Sequence, residues 1–336
     1  MKGTYQIYLF ALTFVVAIGF FIQRGFNGSS SLYPLEKIEN HSWDVRSFDE
    51  VLFGGDSLDL KELTTNFNPF FESNPLPNFW KQERNNSTLR DHFTNVQNLM
   101  DKDAIAKDLN AISVRANRLL GQPLPDQLFF YISGIDLESP CIYFPGATEE
   151  DTKYAFVGLD NFLGAGYPGY EGIPAYQSVL LRQSQLPVAY AHALLETLPL
   201  ENFNDPTLVG QMVYHGKIAL ATEALTGYSI ATGEVLGYGP EEWNFLEANE
   251  SNIWEVMVRE KLLFSTDMMV RQRLSEPAPF SKLGTSMDAD IPGRVARYIG
   301  YKLVQSYAEN HRDMSLKEII KIRDAQKFLR DAQYKP

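Results

Sequence analysis

The sequence predicts a mainly helical α+β fold, a small β-sheet followed by a helical bundle, behind one N-terminal transmembrane helix. Three observations predict it. Residues 5–22 carry no charge, three short runs rich in aromatic and β-branched residues fall between 128 and 157, and long stretches of helical periodicity fill the remainder. Strands grouped ahead of helices favour an α+β domain over alternating βαβ units.

The N-terminal run, YQIYLFALTFVVAIGFFI, lies between Lys2 and Arg24. About 20 such residues span a bilayer's hydrocarbon core. The run exceeds the roughly 7–15 apolar residues of a secretory signal peptide, and no A-x-A cleavage pattern follows. Residues 1–24 therefore read as an uncleaved signal-anchor. Lys2 and the free amino group ahead of the helix, against Arg24 alone behind it, keep the N-terminus cytoplasmic and export the body. Residues 25–31, GFNGSSS, read as a flexible tether, and 32–336 as a single globular domain.

Between 32 and 90, Asn and Pro clusters around Pro69 and Pro75 interrupt any long periodicity, which predicts short helices packed by Phe side chains and Trp80. Ile105, Leu109, Ile112, Leu119 and Leu120 recur near helical spacing, so a helix is expected over 101–120, stopped by Gly121 and Pro123. Strands are expected at 128–132, 141–144 and 154–157. Helices follow at 174–197, 205–225, 241–264, 293–310 and 315–333, the last with a charged, solvated face.

Composition excludes several function classes. With 42 acidic against 30 basic side chains the net charge is -12, which repels phosphate backbones and argues against nucleic acid as a partner. A single cysteine, Cys141, rules out an internal disulfide and a thiolate metal cluster. Its apolar neighbours predict an inert buried thiol.

A zinc hydrolase needs about three protein ligands and one open position. The five histidines are His41, His92, His192, His215 and His311, and no H-E-x-x-H is present among them. The nearest substitute, His192-Ala-Leu-Leu-Glu196, puts an imidazole and a carboxylate one helical turn apart, with His215 further along. His192, Glu196 and His215 are the metal-ligand candidates, against a satisfied, partly buried role for each histidine. No cofactor is predicted. There is no G-x-S-x-G elbow and no P-loop, and Gly164 and Gly166 read as turn residues with positive φ.

Four segments carry a resemblance: VGLDNFLGA at 157–165 with Tyr167 and Tyr170; LVGQMVYHGKIALATEALT at 208–226; the stretch at 247–268; and PAPFSKLGT at 277–285 joined to IPGRVARYIGYKLVQSYA at 291–308. In this order the chain resembles the gliding-motility lipoprotein GldB family of Bacteroidetes, from about 33 to 310. The resemblance implies a cell-envelope protein needed for gliding and associated with type IX secretion. It also implies a metallopeptidase-like scaffold, since the chain is similar to predicted zinc peptidases with an H-E-x-x-H helix and a downstream Glu helix. Residues 187–198 and 212–224 occupy those two places without the ligands, which implies a pseudo-peptidase. Family members carry an N-terminal lipidated cysteine; this chain has none there, and its apolar helix would supply the tether at the inner membrane, with the body in the periplasm.

Within the matched segments, Asp160, His215, Lys217, Arg294, Arg297 and Tyr298 form either a groove or a structural motif. Arg294 and Arg297, at i,i+3, are expected to share a helix face and to bind helix carbonyls or carboxylates such as Glu255 or Glu260. Lys217 is expected in a buried ion pair. The leading expectation is a non-catalytic envelope component that binds partner proteins of the gliding and secretion machinery. The alternatives are an atypical zinc metallohydrolase and a domain that keeps the cleft for a peptide.

Overall fold

Four strands make one mixed sheet: β1 (Asp44–Ser47), β2 (Gln127–Tyr131), β3 (Cys141–Phe144) and β4 (Tyr154–Gly158), in the order β1-β2-β4-β3. The computed structural model describes residues 31–336 except 36, 56–59, 72–76, 201–204, 279–280 and 286–287. The expected signal-anchor, and the tether apart from Ser31, lie outside the described residues. Among the described residues no helix is long and apolar enough to cross a membrane.

The three expected strands are present, β3 with the expected ends, β2 one residue earlier so that Ile132 falls outside it, and β4 one residue longer. β1 corrects the expectation of helices alone before residue 90. Its sequence, DVRS, has no apolar run, and it is a strand because it pairs parallel to β2, with Val45 opposite Leu128. Parallel neighbours need a crossover. Here it contains α1 (Leu60–Asn66), α2 (Pro77–Asn85), α3 (Ser87–Leu99) and α4 (Lys102–Leu120), so strands and helices are not fully segregated along the chain. The Asp101 side chain accepts the Ala104 N–H to start α4, and Gly121, at φ 76°, ends it as expected.

β2 and β4 are covered on both faces, which explains their nearly unbroken apolar sequence. Phe129 stacks on Phe156 at 5.1 Å and packs with Phe48, Phe67 and Phe70 on one side. Leu128, Phe130, Ala155 and Val157 face the other way, into a core shared with Leu109, Ile112 and Tyr190.

The second half comprises α5 (Ala175–Ser178), α6 (Leu186–Glu196), α7 (Leu208–Leu225), α8 (Thr232–Val235), α9 (Pro240–Arg259), α10 (Met268–Ser275), α11 (Val295–Asn310), α12 (Leu316–Lys321) and α13 (Ala325–Asp331). The helix expected over 174–197 is broken: Arg182 is extended at ψ 155°, and α6 starts afresh with Pro187 in its first turn. The helix expected over 315–333 is also two, because Asp324 caps a second start by accepting the Gln326 and Lys327 N–H groups. The helix expected over 241–264 ends at Arg259, before Lys261 turns left-handed at φ 56°.

One crossing positions the site. A Cβ on Gly216 of α7 would lie 2.2 Å from the Gly300 carbonyl oxygen, and one on Gly300 of α11 would lie 2.0 Å from that of Met212. The two backbones therefore touch, as only glycine allows. That contact sets His215 on α7 against the start of α11.

Candidate binding cleft

The expected site residues separate into two groups. His192, Glu196, His215, Arg294 and Arg297 line one cleft of about 570 Å³. Such a volume suits a small ligand or a short peptide segment. α6 turns Ala189, His192, Ala193 and Glu196 toward the cleft at i, i+3, i+4 and i+7, and α7 adds His215, Ile218 and Ala219. The loop bearing Asp136, Glu138 and Cys141, the Leu236–Gly237 turn and the Glu276–Pro277 turn complete the walls.

Electrostatics inside the cleft are lopsided. Burial, with the nearby Arg297 guanidinium, lowers the His192 pKa to about 4. Burial, Arg297 and His192 together hold His215 well below the usual imidazole value. Both rings are therefore neutral at pH 7, each with one donor and one acceptor nitrogen. Neither makes a hydrogen bond to another described residue, which corrects the expectation of satisfied histidines. The others are tied: His41 Nε2 to the Pro125 carbonyl, His92 Nδ1 to the Tyr167 hydroxyl at 2.6 Å, His311 Nδ1 to the Tyr307 carbonyl at 2.8 Å.

The arginines do not meet Glu255 or Glu260, nor do they share a helix face. Arg294 precedes α11 in a left-handed conformation, φ 63°, and donates from Nη2 to the Gly237 carbonyl at 2.7 Å. Its guanidinium lies over the Tyr238 ring. Arg297, in the first turn of α11, donates from Nε to the Ser275 carbonyl and has Glu276 at 3.6 Å. Burial lowers the Arg297 pKa, with Arg294 acting in the same direction and Glu276 opposing.

A zinc ion does not fit these residues. Among the described residues no group of three or more His, Cys, Asp and Glu side chains is placed to hold a metal. The positive field of Arg297 that disfavours imidazolium also disfavours a dication beside His192 and His215. Cys141 supplies no nucleophile, because burial, and secondarily Glu196, push its thiol pKa up. Glu196 is exposed, its pKa raised by desolvation.

The second group is structural. Asp160, fully buried, accepts the backbone N–H groups of Ser133, Gly134 and Ile135 and the Ser133 hydroxyl, all within 3.0 Å. Lys217 corrects the expected ion pair: its ammonium donates to the carbonyls of Leu200, Ile320 and Ile322, and burial lowers its pKa to about 8. Tyr298 points away from the cleft, donating to Glu250 at 2.6 Å beside Trp243. Gly164 has the expected positive φ, 101°, whereas Gly166 does not. Glu276, Gly237 and Tyr238 were not foreseen as parts of the site. The Pro292-Gly293 pair ahead of α11 was the available signal for a special turn there.

Fold and cleft together define a mainly helical α+β protein with a ligand-sized cavity that has two arginines at one end and, among the described residues, no metal-holding trio. The sequence model of the family described as Gliding motility protein GldB matches residues 34–336, and the chain belongs to that family. The match continues past 310, the expected limit, through α12 and α13. No match was found among curated proteins or among solved structures. Family membership makes this a component related to gliding motility.

Proposed function

We propose that the protein is a non-catalytic, membrane-anchored component of the gliding and type IX secretion machinery. Its body stands in the periplasm, tethered to the inner membrane through residues 5–22, and engages partner proteins of the envelope through the cleft. The observation that carries this reading is the cleft's equipment: among the described residues, neutral imidazoles without a hydrogen-bond partner and two arginines, and no metal-holding trio. That set suits recognition by hydrogen bonds and charge better than activation of water, which needs a metal or a tuned base. The peptidase resemblance then describes an inherited scaffold whose cleft is kept for binding.

The test is elemental mass spectrometry on the full chain purified in detergent, before and after zinc loading, beside fractionation of cells. The protein should partition with membranes, retain far less than one zinc per chain, and copurify with envelope proteins. Near-stoichiometric zinc that disappears in His192→Ala or His215→Ala would overturn the non-catalytic reading in favour of a metallohydrolase. Recovery in the soluble cytoplasmic fraction would overturn the anchored one.

A further inference from the structure

Arg294 is only 7% exposed, and its Nε is buried with no hydrogen-bond partner among the described residues. Its position is built. The left-handed backbone at φ 63° aims the side chain, and Gly237, itself at φ 79°, leaves room for it: a Cβ there would lie 2.6 Å from Arg294 Nη1. Its neighbour Arg297, whose Nε is bound to the Ser275 carbonyl, has among the described residues one carboxylate within 4 Å, that of half-exposed Glu276 at 3.6 Å. Arg294 itself, bound to the Gly237 carbonyl and lying over the Tyr238 ring, has no carboxylate within 4 Å among the described residues. A buried charge without full compensation is costly.

We propose that the Arg294–Arg297 end of the cleft binds the free C-terminal carboxylate of a peptide. A planar guanidinium matches a carboxylate in a two-pronged hydrogen bond, and the carboxylate would supply the missing negative charge. The imidazoles of His192 and His215, hydrogen-bonded to no described residue, lie on the same cleft and add one donor nitrogen each. Val188, Ile218 and Leu236 offer apolar wall for the last side chain. Asp136, Glu138 and Glu196 on that cleft disfavour a polyanion such as phosphate, whereas a single carboxylate on a neutral or basic chain is tolerated. The inference rests on the cleft being a binding site.

The probe is a pool of N-acetylated tripeptides with free carboxyl ends, set against the same pool as C-terminal amides and against inorganic phosphate. The readout is the thermal midpoint of the full chain in detergent, which a ligand of the folded state raises by mass action. The free acids should raise it with concentration, and the amides and phosphate should not. Arg297→Gln should weaken the response by about tenfold, the size of one charge-assisted contact. Should that variant fail to fold, the acid–amide contrast in the unaltered protein decides alone. No response to the acids, an equal response to the amides, or a phosphate response matching the acids overturns the carboxylate site. Stoichiometric zinc would sink the binding-cleft reading itself; metal-free protein that ignores the acid–amide difference sinks only the carboxylate assignment.

Discussion

Asp160 and Arg294 are both buried charged side chains, and they live under opposite conditions. Asp160 accepts four hydrogen bonds that knit the end of β2 to the turn after β4, and Lys217 likewise spends its ammonium on three carbonyls. The cleft group is unsaturated: Arg294 keeps an unpaired Nε, and His192 and His215 hydrogen-bond to no described residue. A saturated buried charge is a brace, because removing it strands its partners. An unsaturated one on a cleft wall leaves its charge incompletely compensated, and a ligand of opposite charge can complete it. Burial alone does not separate the two; the hydrogen-bond inventory does.

Substitutions on each side sharpen or break this contrast. The largest effect belongs to Asp160→Ala, which leaves the N–H groups of Ser133, Gly134 and Ile135 without their acceptor; urea denaturation should show a loss of about 3 kcal/mol. Lys217→Met should cost less, about 1 kcal/mol, since losing the contacts to three carbonyls is partly offset by no longer burying a cation. A loss from Lys217→Met equal to that from Asp160→Ala would break the ranking within the saturated group.

His192→Gln with His215→Gln should move stability at pH 7 least of all, by under about 1 kcal/mol, because neither ring anchors another group. The pair should matter in acid. The His192 pKa is about 4 when folded against 6.5 as its reference, so the unfolded chain binds more protons between those values. Stability therefore falls as pH drops through that window, and His215 acts in the same direction. Urea midpoints at several pH values should show a flatter acid limb in the double variant; an unchanged limb would mean that the imidazoles are not held neutral by the fold.

Much of the local structure was legible because its causes are local. Asp101 and Gly121 bracket α4, and the apolar runs at β2, β3 and β4 announce strands. The broken helices were misread for a related reason: periodicity runs on through 179–182 and 322–324, while the interruptions depend on a backbone turn at Arg182 and a cap at Asp324. β1 was invisible, since four half-exposed residues become a strand only when β2 offers its edge.

The sequence by itself determined the family, the mainly helical α+β class, the exclusion of an internal disulfide, and the absence of an H-E-x-x-H motif, because composition and short-range pattern are properties of the chain. It could name His192, His215, Arg294 and Arg297 but not say which of them meet. Tertiary structure decided that, through the close approach of Gly216 and Gly300 and the left-handed turn at Arg294, which bring residues some 100 positions apart onto one cavity. Whether a charged side chain braces or binds depends on which groups fold against it, and that is fixed only when distant backbone comes into contact.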